Sequence, residues 1–189
     1  MEKKDLRVQK TIRAIREAFE ELICEKDYPK ITVTELSERA HINKKTFYRY
    51  YPAMDNLLAE LQMDLITGYL KLVENYRLPD EFNKVNEAFF RFSAEQSPAY
   101  EKITCHTNYS GIAQQMIDRV MHMLWNRSEK FRKLDVTTQN ILMNFIQISN
   151  AEIYRQWVAE GKKMPIEELI TMANTLICPG LEKFFDQIQ

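Results

Sequence analysis

Five of the six prolines in this chain, Pro29, Pro52, Pro79, Pro98 and Pro165, stand between apolar runs that repeat with helical period. Proline fixes φ and lacks an N–H, so each marks a place where a helix must stop or can start. With only four glycines in 189 residues and long 3.6-residue patterns between the prolines, the chain is predicted to be all-α, with about nine helices. A 45% hydrophobic content is enough to build a core in one domain or two small ones. The sixth proline, Pro179, precedes Gly180 inside the last periodic run and should break or kink it.

One stretch carries the chemistry. Residues 32–51, TVTELSERAHINKKTFYRYY, read as two short helices joined by a tight turn. Val33, Leu36 and Ala40 repeat at helical spacing in the first, which Thr32 or Thr34 can cap by accepting a backbone N–H. Ser37 is small enough for a second helix to cross closely. His41 and Ile42 form the turn, and Asn43 stands at the N-cap of the second helix. Steps of about 100° per residue place Lys44, Lys45, Tyr48 and Arg49 in an arc of about 140°, with Phe47 on the opposite side. One face is cationic and the other can be buried, as in a helix-turn-helix. Taken alone, the three cations serve equally as an ordinary solvated face.

A wider pattern decides between these readings. From Ile31 to Leu58, the Thr-Val before the first helix, Leu36, Ala40, Thr46-Phe47-Tyr48, Tyr51 and Leu57-Leu58 resemble the N-terminal signature of the TetR family of bacterial transcriptional regulators. The resemblance implies a three-helix DNA-binding head over residues 1–53 and a larger helical body for ligand binding and dimerisation over residues 54–189. It also implies a DNA-reading role for the second helix. Lys44, Lys45, Tyr48 and Arg49 would face the major groove, Lys45 and Arg49 reading guanine edges, with Thr34, Thr46, Tyr48 and Tyr50 available to phosphates. Three positions depart from the family's pattern. His41 stands where glycine is usual, which calls for a left-handed backbone. Met54 replaces a lysine that grips phosphate, and Pro52 fixes the exit from the reading helix.

Charge is distributed in keeping with this. Residues 1–51 hold 12 basic and 9 acidic side chains, a net +3, whereas the remainder nets −4. Lys3, Lys4, Arg7 and Lys10 open the first helix, expected over 4–24, and reach toward the DNA backbone or solvent. Three separated cysteines and no signal peptide suggest a reducing, cytoplasmic setting. No apolar run approaches the roughly 20 residues of a membrane span.

Beyond Pro52, helices are expected over 54–76, 81–94, 98–106, 111–133, 137–160 and 165–189. Gly161 is a stop signal, and Ile141, Leu142, Phe145, Ile148 and Trp157 are assigned to one broad side of the 137–160 helix. In the family the last two helices pair with those of a second subunit; two such helices could equally finish a monomer's own core. The body's aromatics and methionines are core by default. The resemblance implies a pocket among them for a small apolar or aromatic effector, drawing on Phe89, Tyr100, Met116, Met123, Trp125 and Phe145. Tyr109 belongs to the same aromatic set.

Catalysis is not indicated. Only His41, His106 and His122 are present, no CxxC or HExxH spacing occurs, and the adjacent Cys105 and His106 diverge on a helix, so neither an enzyme nor a metal centre is expected. No cofactor is expected beyond the effector. The expected function is a dimeric, ligand-responsive repressor acting on a palindromic operator. The alternative is a DNA-tethered activator or interaction module whose body binds a partner protein.

Overall fold

The computed structural model describes residues 2–105 and 110–187, with side chains over 6–105 and 114–187. His106, Tyr109 and Ile188, and the side chains of Lys3 and Lys4, lie outside the described residues. The described chain is all α-helical: α1 (Glu2–Glu25), α2 (Val33–Arg39), α3 (Lys44–Tyr50), α4 (Met54–Leu72), α5 (Phe82–Ala94), α6 (Pro98–Cys105), α7 (Ser110–Trp125), α8 (Glu129–Arg132), α9 (Val136–Ala159) and α10 (Ile166–Asp186).

The expected 111–133 helix is two. Ser128 is buried and its hydroxyl accepts from Phe131 N–H at 3.2 Å, so it caps α8 and ends the run from α7. The break turns Phe131 back onto Trp125, at 5.3 Å between ring centroids, while Phe185 stacks on the same indole at 5.9 Å. Pro179 does not break α10, which runs through it. The carbonyl left without its N–H is that of Thr175, an exposed residue, where water can serve.

Helix α9 ends as the sequence suggests. Gly161 has φ 72°, its N–H meets the Val158 carbonyl at 2.9 Å, and Lys162 N–H meets that of Trp157 at 2.9 Å. This pair of bonds is the Schellman arrangement. The Trp157 indole N–H then holds the Met164 carbonyl at 2.8 Å and sets the turn into α10.

Two main cores result. The N-terminal one gathers Ile15, Phe19, Leu22, Leu36, Phe47 and Tyr51, and extends past residue 53 to Leu57, Leu58 and Ala99. The second centres on Phe82, Trp125, Phe131, Ile146 and Phe185. Helix α4, about 28 Å long at 1.5 Å per residue, joins them: Leu57 and Leu58 lie in the first, Tyr69 in the second. Helix α6 also links head and body, since Ala99 packs into the first core while Tyr100 joins Ile66 of α4 and Met116 of α7 in a smaller cluster.

The α9 residues do not share one side. Leu142 and Trp157 are buried, whereas Ile141, Phe145 and Ile148 are exposed. A single 3.6-period stripe cannot hold both sets; the helix is apolar on two faces.

Candidate nucleic-acid interface and body cavity

Local chemistry builds the α2–α3 unit. Thr32 Oγ1 accepts from Glu35 N–H at 3.2 Å and caps α2; Asn43 Oδ1 accepts from Thr46 N–H at 2.7 Å and caps α3. Between them His41 adopts φ 52°, with His41 N–H on the Glu38 carbonyl at 3.1 Å and Ile42 N–H on that of Ser37 at 2.9 Å. These are the same two bonds that close α9, made on histidine instead of glycine. Ile42 packs against the N-terminal core, which fixes the angle of the turn.

Phe47 is fully buried and Tyr51 nearly so, which orients the opposite face of α3 outward. Lys44, Lys45, Tyr48 and Arg49 are all exposed. Thr34 is exposed on α2, Tyr50 is half-buried, and Thr46 is half-buried with its hydroxyl donating to Asn43 Oδ1 at 2.9 Å. In this arrangement the Thr46 hydroxyl braces the cap. Met54 is half-buried and packs on the N-terminal core, so the residue that replaces the family's lysine contributes packing.

The surrounding ion pairs are selective. Arg39 on α2 forks onto Glu25 at 2.7 and 2.9 Å and reaches Glu21 at 3.1 Å, and these hydrogen bonds hold the Glu25 carboxyl below its ordinary range. Arg16 on α1 bridges Glu60 and Asp64 of α4, to the latter at 2.8 Å, while Tyr51 hydroxyl donates to Glu60 at 2.8 Å. Burial would raise the Glu60 carboxyl, but Arg16 and Tyr51 outweigh it and hold it low. Lys26 pairs with Glu35. Among the described residues, Arg7, Lys10, Lys44, Lys45 and Arg49 have no carboxylate partner. Within the described side chains of residues 6–53, the cations left over are therefore those of α3 and the opening of α1. Arg7 and Thr11 line an open groove with His41, Asn43, Arg49 and Tyr50. Thr11 has no helical-period signal to single it out, and only the α1–α3 packing brings it there.

The body holds a cavity of about 80 Å³ between α4, α5, α6, α7 and α9. Phe89, Tyr100, Met116 and Trp125 line it as expected by position. Met123 and Phe145 do not. They are 44% and 50% exposed, because α7 and α9 turn other faces, with Met116, Trp125 and Ile146, toward the interior. Sequence reasoning missed Asn86, Gln147 and Asn150, which also line the wall. The available signal was a polar residue at a core position of an apolar repeat, as in Phe82, Val85, Asn86, Phe89.

No helix among the described residues is long and apolar enough to cross a membrane. No three metal-ligating side chains come together there either.

A capped two-helix unit presenting unpaired cations beside a cavity-bearing helical body defines a helix-turn-helix DNA-binding protein. Residues 15–61 match the bacterial regulatory proteins of the tetR family. The whole fold is similar to that of a TetR transcriptional regulator from Streptococcus agalactiae, with 25% identity, a TM-score of 0.68, and coverage of 92% of this chain and 97% of that one. Two structures at 16% identity share the fold: the fatty acid degradation regulator FadR from Bacillus halodurans, with a TM-score of 0.63 and coverage of 90% and 96%, and the dihydroxyacetone kinase operon activator DhaS, with a TM-score of 0.50 and coverage of 91% and 96%. No curated protein sequence matches the chain. Residues 15–61 are thus a DNA-binding domain of the tetR family, and the chain that carries it is a TetR-like transcriptional regulator, a class without enzymatic activity.

Proposed function

We propose that this regulator is a cytoplasmic repressor that binds a palindromic operator as a homodimer and is released by a small uncharged effector in the body. The carrying observation is the set of unpaired cations on α3. Where Arg16, Lys26 and Arg39 are neutralised by carboxylates, Lys44, Lys45 and Arg49 keep their charge for a polyanion. In this reading residues 1–53 are the reading head, and Lys44, Lys45, Tyr48 and Arg49 enter the major groove. Thr34, Tyr48 and Tyr50 meet phosphates, joined by Arg7.

Dimerisation is supported by the apolar residues left outside. Ile141, Phe145 and Ile148 on α9 and Met172 and Leu176 on α10 are exposed at helical spacing, on two helices that pack together. Two heads in a dimer read one face of the DNA when their α3 helices lie roughly 34–36 Å apart, the spacing of successive major grooves. Helix α6 supports the effector reading, since Tyr100 lines the cavity while Ala99 and Ile103 pack on the head. A ligand that moves Tyr100 therefore moves a helix seated on α1.

The test is mobility shift on the DNA beside the protein's own gene, at fixed salt with nonspecific competitor. Lys45→Ala and Arg49→Ala should each weaken specific binding by about 1–3 kcal/mol and relax one base position, whereas Arg7→Ala should weaken all sequences and lower the salt slope by about one. Unchanged binding in both α3 variants would remove the assignment.

A further inference from the structure

Among the described residues the cavity wall contains no charged side chain, yet it contains two buried acceptors without donors. Asn86 on α5 is 1% exposed and Asn150 on α9 is 7% exposed, and the Oδ1 of each is buried with no hydrogen-bond partner among the described residues. The Asn86 amide cannot simply be turned over. Asn174 Nδ2 donates to the Asn83 carbonyl at 3.3 Å, which directs Asn174 Oδ1 to accept from Asn86 Nδ2 at 2.9 Å. Reversing Asn86 would set two oxygens against each other. Its Oδ1 is thus held as an acceptor that the fold leaves unmet.

We propose that this cavity takes a phenol-class molecule: uncharged, about one ring in size, and carrying an O–H that donates to the carboxamide oxygen of Asn86 or of Asn150. This rests on the reading that the body houses an effector site. Size sets the first limit, because about 80 Å³ is smaller than the roughly 150 Å³ apolar cavity that accepts benzene. A ring enters only as the flexible Met116 and Met121 side chains in the wall swing aside to enlarge it. Charge sets the second. An anion would lose its water with no cation in the wall to replace it. The two acceptors set the third, since a hydrocarbon of the same shape leaves both unmet.

Calorimetric titration of the full-length protein with phenol, toluene and benzoate separates these terms. Phenol should bind about tenfold tighter than toluene, the equivalent of one hydrogen bond, and benzoate should not bind at millimolar concentration. The double variant Asn86→Leu/Asn150→Leu, which removes both acceptors, should reduce phenol to the level of toluene while leaving toluene unchanged; if that variant does not fold, the wild-type phenol-to-toluene ratio still decides. Equal affinities for phenol and toluene, binding of benzoate, or no binding of phenol would each overturn the proposal. A mobility shift in the presence of phenol distinguishes the parent reading. Phenol that binds without changing DNA affinity leaves the cavity assignment standing and removes the effector role. Release of DNA by benzoate alone does the opposite.

Discussion

The head and the body both carry polar groups without protein partners, but in opposite solvents. On α3, Lys44, Lys45 and Arg49 are unpaired and exposed, where water solvates them until a phosphate backbone takes its place. In the body, the Asn86 and Asn150 oxygens are unpaired and buried, on side chains that line the cavity. On the proposed reading, both mark sites for a ligand. The first is legible from charge and selects a polyanion; the second depends on packing and favours something small and neutral.

If the two regions are separate cores bridged by α4 and α6, damage to one should leave the other standing. Phe47→Ala empties the centre of the head, where the side chain is fully buried, and should cost about 3–5 kcal/mol. Urea unfolding should then split into two transitions, with DNA binding lost at the first and the near-UV signal of Trp125 and Trp157 lost at the second. A single lowered transition would mean one cooperative unit.

The exposed apolar face should respond differently. Phe145→Glu removes no buried contact within the subunit, so subunit unfolding should be little changed, while self-association weakens by about 2 kcal/mol or more if the ring is central to the interface. Analytical ultracentrifugation reads this directly. An unchanged sedimentation coefficient would place the dimer contact elsewhere or remove it.

His41→Gly addresses the two matched helix ends. Gly161 occupies its left-handed position without strain, whereas His41 has a Cβ at φ 52°, so the glycine variant should gain about 1–2 kcal/mol in the head. Thermal unfolding checks the gain, and the DNA titration shows whether the exposed imidazole contributes to binding.

The smallest effect concerns the joint between head and α4. Glu60 and Glu25 carboxyls are held low, so the folded state binds fewer protons than the unfolded chain around the ordinary carboxyl value of about 4.3. Their stabilisation is present above that value and is lost as pH falls through and below it. Arg16→Met removes the pairs to Glu60 and Asp64 and should flatten the acid limb of the stability curve through the loss of the Glu60 contribution, leaving that of Glu25–Arg39. An acid limb parallel to the wild type would show that the Arg16 pair has no net role.

Much of the helical order followed from prolines, caps and period. Asn43, Thr32 and Gly161 act locally, and local hydrogen bonding needs no knowledge of the distant chain. The burial of Phe47 opposite Lys44 and Lys45 was readable for the same reason. The errors arise where a helix has two apolar faces. Phe145 and Leu142 look alike in sequence, and only the neighbours of α9 determine which is covered. Met123 failed in the same way. Ser128 could have been read as a cap, but the apolar run through Trp125 and Phe131 masked the break.

By itself, then, the sequence determined the helical class, the cap residues, the cationic face of α3 and the need for a left-handed turn at His41, because each depends on residues within a few positions of one another. Tertiary structure decided which cations are neutralised, where α6 sits between head and body, and which polar side chains reach the cavity without a donor. Those outcomes depend on contacts between residues such as Arg16 and Glu60 or Asn86 and Asn174, far apart in the chain, whose meeting is set by how the helices pack.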